Sequence, residues 1–532
     1  MVEGDPSENE RTAQGIYARL QADREPYLRR ARLNAALTLP HLVLPEGEDK
    51  SQDLEDPFQS KGAEGVNNLS AKIVFATFPP DGPLFKLQLD GQAEAELETA
   101  AGTDEMGKKA KLDVEGLMVE TERTVVDAVH GSNFYSQVPD AVRHLIVAGN
   151  VCLEYLDSGD WRLHQIDSYV LRRSGKGEVV EAVIKQQTAF VLLPDAAKAK
   201  VEEKNPNVRA TSNVDIYTYI WLDEPGVYQY HQEVEGEVID GSEGRYPAED
   251  PVFIFARWNA SNGDHWSRAY IDDFRGDLTS LENLSGALTE GAMGAARLLW
   301  LVDPSGLTDV KDIAEAPNLS VRGGRGGDVE AVQANKFGDF RVAADRIMEL
   351  ERRLDKAFLL TGSVTRDAER VTAEEIRRLA SELEDALGGV FALLARELQL
   401  PVIRATLAST RQKGTVPPWP EGMVEPVVVA GMEALGRGHK LGRFQQWYQN
   451  LVALVGEEQM AQRVRLDNID QFVSNAIGID TTGFIMSEEQ YQRLRLAQSS
   501  QQLAEKLGPE AIRQLGGTVA GAAETPQGQP GG

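Results

Sequence analysis

Two helical patterns of similar length, over residues 272–301 and 339–360, flank a short segment rich in turn residues. That arrangement constrains the chain more than any other feature. In the first pattern Leu278, Leu281, Leu284 and Leu288 recur at helical spacing. In the second, Ala343, Ile347, Leu350, Leu354 and Ala357 form one stripe. Between them lies a compact insert over 302–338, with DPSG, PN and RGGRGGD as turn signals. A bounded insert between paired helices is a projecting tip carried on two struts, a shape compatible with radial assembly. Gly286, Gly291 and Gly294 interrupt the first strut, so either a neighbouring backbone approaches there or the helix breaks near Gly286.

The rest of the chain sorts by period. Residues 9–37 read as a helix with Ile16, Leu20 and Leu33 among its apolar positions and a kink at Pro26. A second helix covers 60–78, carried by Val66, Leu69, Ile73, Val74 and Phe78 and ended by Pro79 and Pro80. Others cover 105–130 and 139–148. From 151 to 258 the period shortens, and stretches such as VDIYTYIWL and GVYQYHQEV predict an antiparallel or mixed sheet with one wet face. After a polar loop at 361–371, Thr372 and Glu375 form a capping signal, with Val371 and Ile376 as its staple. The helix that follows runs through Leu379, Leu383, Leu387, Leu394 and Leu398 and kinks at Pro401. A strand near 424–431 and helices within 432–506 precede a Gly/Gln/Pro tail over 507–532 that reads as flexible. The fold class is α+β and mainly helical.

Among 532 residues, 55 are Lys or Arg and 83 are Asp or Glu, for a net charge of −28. That balance argues against wrapping a nucleic-acid backbone but permits a passage that nucleic acid crosses without being gripped. The single cysteine, Cys152, precludes an intrachain disulfide. The opening MVEGDPSENE is not a secretory signal, and 292–302 is short and interrupted by Arg297, so a soluble protein is expected. No catalytic, metal or cofactor site is expected: the seven histidines make no HExxH, no Walker or GxSxG motif occurs, and the acids form no paired constellation. The Gly-rich pieces at 174–178, 323–327 and 436–440 read as turns. The seven tryptophans read as packing anchors.

Several long blocks, in order, resemble the head-to-tail connector, or portal, proteins of T7-like short-tailed double-stranded DNA bacteriophages. They include 62-GAEGVNNLSAKIVFATFP-79, 146-IVAGNVCLEYL-156, 213-NVDIYTYIWLDE-224, 268-RAYIDDFRGDLTSLENL-284, 370-RVTAEEIRRLASELEDALGGVFALLARELQLPVI-403 and 475-NAIGIDTTG-483. The resemblance implies a portal fold in a ring of twelve copies at a unique capsid vertex of the virion, made in the host cytoplasm. It implies passage of the double-stranded genome during packaging and ejection, with ATP hydrolysis left to a separate large terminase. Docking of terminase and then tail adaptor and nozzle proteins is implied, as are contacts with major capsid, scaffolding and internal core proteins and a part in nucleating the procapsid. Mapped by that resemblance, 1–270 is the wing, 271–301 the first stem helix, 302–338 the clip and 339–360 the second stem helix. The tunnel or valve loop is then 361–371, 372–431 the long kinked wing helix and following strand, and 432–506 the crown. Arg366, Arg370, Arg341 and Arg346 are the candidates for facing the channel, and Lys311, Arg322 and Arg325 for docking at the clip. Local pairing with Asp367, Glu369 or Glu374 is the competing use of the loop arginines. An acidic adaptor without a channel, or a hydrolase using clustered carboxylates, are the alternatives.

Overall fold

The computed structural model describes residues 11–48, 52–80, 84–90, 105–259, 263–296, 299–306, 327–332, 337–360, 387–417 and 423–428, with single positions between them. They belong to one compact unit, Met1–Met432. The expected crown over 432–506 and tail over 507–532 lie outside the described residues.

Helix α1 (Ala13–Ala36) is capped by Thr12, whose hydroxyl accepts from Gly15 N–H, and runs through Pro26 unbroken. Leu33 is 52% exposed, so it is not part of the core face that Ile16 and Leu20 supply. Helix α2 (Lys61–Thr77) buries Val66, Leu69 and Ile73 as its spacing predicts. Strand β1 (Phe85–Leu89) precedes α3 (Glu105–Gly131) and α4 (Phe134–Ala148). The last begins ahead of the expected 139–148 and carries Pro139 inside it. At its end Gly149 adopts a left-handed φ of 78°, and a Cβ there would lie 2.7 Å from the Arg268 backbone.

The strand-rich block folds into two antiparallel sheets. Strands β2 (Asn150–Tyr155), β3 (Trp161–His164) and β10 (Phe253–Arg257) form one, in the order β10-β2-β3. The other has the order β4-β5-β6-β7-β8, with β9 also on β7: β4 (Tyr169–Arg173), β5 (Val179–Ala189), β6 (Asn213–Glu224), β7 (Val227–Val234), β8 (Glu237–Val238) and β9 (Gly244–Pro247). Helix α1 packs on β4, β5 and β6 through Ala13, Ile16, Tyr17, Leu20, Val170, Val183 and Tyr217. Helix α5 (Asp195–Lys204) closes a smaller apolar cluster around Phe190, Val214 and Val234. The largest core joins α2, α4, both sheets and the later helices.

Helices α6 (Ile271–Ala296) and α7 (Phe337–Ala357) are the two struts. The first does not break at Gly286, but it ends at Ala296. Leu299–Val302, read as helix from sequence, is strand β11, paired antiparallel with β12 (Val329–Val332). The chain then passes through α8 (Gly389–Leu394), a π-helical turn at Ala395–Gln399 and α9 (Leu400–Gln412). Pro401 falls in the first turn of α9, directly after the π turn. Strand β13 (Val424–Val428) pairs antiparallel with β1, Leu87 opposite Pro426.

Leu87 N–H points out of that ladder and donates to the Glu122 carboxylate on α3 at 2.7 Å. Burial pushes this carboxyl up to about 7 from an ordinary 4.5, against the smaller opposing pull of the Leu87 hydrogen bond. The folded state therefore holds a proton that the unfolded chain releases. Its stabilising contribution is complete below about pH 4.5 and is lost as pH rises through 7. At about 1.4 kcal/mol per pKa unit, partly screened, the full chain should lose about 2–3 kcal/mol between pH 4.5 and 8 from this group. Glu122→Gln keeps an acceptor for Leu87 and should flatten that slope in urea denaturation at fixed protomer concentration. An unchanged slope would count against it. No described helix is long and apolar enough to cross a membrane.

Candidate functional site

The struts are built to stand as a pair. Asp272 opens α6, accepting from Ala269 N–H at 3.1 Å and from the Asn34 amide at 3.0 Å, and adds negative charge at the helix N-terminus. Leu278 and Leu281 are buried, and Leu284 partly so, on the side facing Leu350, Leu354 and Ile347 of α7. The antiparallel register is fixed twice. Arg353 bridges to Asp277 at 2.8 Å. Near the far end, a Cβ on Gly291 would lie 2.6 Å from the Phe340 ring. Gly286 likewise faces the Phe58 ring, not a neighbouring backbone, while Glu282 accepts from the N–H of Phe58 and of Gln59.

At the tip, the insert is rooted by the β11–β12 ribbon, extended by Asp303 N–H donating to the Asp328 carbonyl at 2.8 Å. Asp303 Oδ1 accepts from the N–H and hydroxyl of Ser305, which holds its carboxyl below the ordinary range. Asp328 is 8% exposed, and its carboxyl occupies the space a Cβ on Gly306 would need.

At the other end of the pair, α2 forms a cradle for the last turn of α7. Lys61, Gly65, Asn68 and Lys72 follow the spacing i, i+4, i+7, i+11 and share one face. Lys61 Nζ reaches Asp355 at 2.8 Å, and that hydrogen bond raises its pKa against the cost of burial. The Phe358 ring lies on Gly65, where a Cβ would come within 2.4 Å of it. The Asn68 amide donates to the carbonyls of Phe358 and Leu359, and Lys72 Nζ to Leu359 O at 2.7 Å. Tyr270 adds its hydroxyl to the Ala357 carbonyl at 2.7 Å. Leu359 takes a left-handed φ of 55°. Leu360 N–H bonds Asp355 O and Leu359 N–H bonds Lys356 O, the Schellman pattern in which glycine is usual. A leucine there costs about 1–2 kcal/mol. Burial of its side chain and two bonds to its carbonyl offset that cost. Lysines at a helix C-terminus also oppose the negative end of its dipole. The chain thus leaves α7 in a direction fixed by α2.

The expected site residues fall in different places. Arg341 and Arg346 are exposed on α7, and Arg346 is paired locally with Glu349 at 2.5 Å. Lys311 is exposed, its N–H donating to Asp309. Arg325 is exposed, and its carbonyl accepts from Asp328 N–H. Arg322, Arg366 and Arg370 lie outside the described residues, as do Thr372 and its capping partners. The α2 cradle and the ribbon escaped sequence reading. The signal for the cradle is a lysine, Lys72, set inside an apolar run; Lys72 is 3% exposed. Trp161, Trp258 and Trp266 are buried packing residues, as expected. Among the described residues no three His, Cys, Asp or Glu side chains converge to hold a metal.

A family model described as bacteriophage head to tail connecting protein matches residues 10–485. The chain is 36% identical over 521 residues to the portal protein of Escherichia phage T7, covering 97% of this chain and 95% of that one. It is 36% identical to the portal protein of Enterobacteria phage T3, covering 96% and 94%. To the portal protein of Enterobacteria phage SP6 it is 29% identical, covering 93% and 94%.

Proposed function

The chain belongs to the bacteriophage head-to-tail connecting protein family, and from that premise we propose that twelve copies form a ring through which the double-stranded genome is packaged and ejected. It is a structural component, not an enzyme. In this reading α6 and α7 are the stem, the segment 302–338 is the clip that receives terminase and later tail adaptor and nozzle proteins, and 361–371 is the tunnel loop. Residues 432–506 are the crown. The ring sits at one capsid vertex after synthesis in the host cytoplasm, contacts major capsid, scaffolding and internal core proteins, and nucleates the procapsid.

The observation that carries this reading is the rigid strut pair, anchored at its root by α2 and ended by a short ribbon. Duplex DNA must slide through the ring, so tight phosphate binding would act as a brake. An acidic wall repels phosphates over a Debye length of about 8–10 Å, leaving sparse arginines for transient contact. The Glu349 pairing weakens Arg346 in that role, while Arg341 has no ion-pair partner among the described residues.

Two measurements test the reading. Axial class averages of the purified assembly should show a repeating ring around an open centre, whereas a particle monomeric at high concentration would overturn it. Arg366→Glu and Arg370→Glu should leave rings intact and reduce packaged or retained genome at least tenfold. Rings that fail to form would assign those arginines to packing instead.

A further inference from the structure

Helix α1 crosses one face of the six-stranded sheet and leaves a strip of that face beside it. The strand register sorts the face into levels. Lys185, Tyr217 and Glu233 share the first, Val183, Tyr219 and His231 the second, and Glu181, Trp221 and Gln229 the third. Helix α1 occupies the first two. The Glu233 carboxylate accepts from Ala13 N–H at 2.7 Å, and Ala13, Tyr17 and Leu20 pack with Val183 and Tyr217. Arg172, opposite Glu181, and Arg245, opposite Gln229, extend the third level at its two ends. From α1, Arg19 reaches that level and bonds Glu181 at 3.0 Å.

The third level is an aromatic shelf flanked by arginines. Trp221 stacks on Tyr219 with ring centroids 5.0 Å apart and 20° between planes, and His231 stands edge-on to Trp221 at 5.3 Å. These three rings are only partly buried. The side chains of Arg19, Arg172 and Arg245 are 55%, 52% and 57% exposed. Glu181 serves both Arg19 and Arg172, so two guanidiniums share one carboxylate. At the other end the charges are matched locally: Arg245 pairs with Glu224, and Gln229 donates to Asp223 at 2.6 Å. The surplus of donors for a further carboxylate therefore lies at the Arg19–Arg172 end.

The ten residues that precede Arg11 suit this strip. They carry Glu3, Asp5, Glu8 and Glu10, no Lys or Arg, and Pro6 in the middle. The chain enters at the edge of the strip, where Ala13 is tied to Glu233 and Thr12 lies beside Gly236. From Glu233 to Gln229 is four residues along a strand, about 13 Å, and the neighbouring strand is about 4.8 Å further. The six residues from Thr12 back to Pro6 span up to about 20 Å when extended. Proline is preset for an extended backbone and docks readily on aromatic rings. We infer that residues 1–10 fold back over this face of their own chain, with Pro6 on the Trp221 ring and Asp5 and Glu3 on Arg19 and Arg172. Because the segment is tethered at α1, its effective concentration at the shelf is high and modest contacts suffice to hold it.

The test uses the purified full-length protein. With Pro6 on Trp221, Ser7 lies beside Gln229, the residue opposite Trp221 on β7. Ser7→Cys with Gln229→Cys should therefore form an intrachain disulfide under mild oxidation in more than half of the chains, against a low background because Cys152 is buried. Adding Arg19→Glu and Arg172→Glu should slow its formation at least fivefold, as should 1 M salt, which screens exposed charges. Independently, a variant lacking residues 2–10 should show at least threefold faster hydroxyl-radical oxidation of Trp221. Trp161 and Trp266, each 2% exposed, should be unchanged. No disulfide, or equal Trp221 oxidation with and without residues 2–10, overturns the inference. A disulfide between two chains does so as well, because it places the segment on another copy. Neither measurement depends on ring formation, so this inference and the ring reading fail separately.

Discussion

Arg257→Ala will destabilise the chain by about 3–5 kcal/mol, and Glu397→Ala will cost more. Arg257, at the end of β10, grips the Glu397 carboxylate with two hydrogen bonds, Nη2 at 2.6 Å and Nε at 3.1 Å. Both side chains are nearly out of solvent, at 5% and 13% exposed. Breaking a buried pair strands one charge without water or partner. The asymmetry comes from Arg173, which donates to the carbonyls of Gly177 and Phe255 close by. Its pKa is pushed down to about 10, first by burial and then by the neighbouring Arg257, while Glu397 pulls it up. Without Arg257, Glu397 still has Arg173 nearby and Arg396 at 3.8 Å. Without Glu397, two buried guanidiniums face each other. Arg257→Met with Glu397→Met should recover much of the loss, since removing both partners leaves neither stranded. Urea midpoints at fixed protomer concentration decide it, because assembly and stability are linked. A Glu397→Ala variant less destabilised than Arg257→Ala would refute the account.

Phe358→Ala should cost about 3–5 kcal/mol, the range for deleting a fully buried aromatic ring. The ring is 0% exposed, flat on Gly65 and 6.2 Å from the rings of both Tyr270 and Phe274. Its loss empties the junction where α2, α6 and the end of α7 meet. The carbonyl bonds from Asn68 and Lys72 are made to backbone and survive the substitution. Phe358→Leu, which keeps most of the volume, should lose less than half as much. Hydrogen exchange should report the local effect: amides of 354–360 lose protection in Phe358→Ala while those of β5 and β6 do not. Equal loss in both places would mean the residue is an ordinary core member and not the root of the strut.

Much of this architecture is legible residue by residue. The stripe Ile347, Leu350, Leu354 puts α7 on α6. Leu383, Leu387, Leu394 and Leu398 are buried as their spacing predicts. The errors have physical causes. LWLV at 299–302 continues an apolar run and looks helical, but it becomes a strand because VEAV at 329–332 returns beside it. Leu33 satisfies a helical pattern yet is exposed, since no described element covers that side of α1. The π turn just before Pro401, which no periodicity shows, sets Glu397 on Arg257 and Gln399 on the Leu84 carbonyl.

The sequence alone determined the periodicities, the acidic charge, the lack of a recognisable catalytic motif and the order of blocks that resemble the connector family. Tertiary structure alone decided which distant partners meet: β1 with β13, Lys72 with Leu359, Arg257 with Glu397. The reason is that a side chain's spacing encodes which face of its own element is buried. The identity of what covers that face depends on closing loops of hundreds of residues, and no local pattern carries that information.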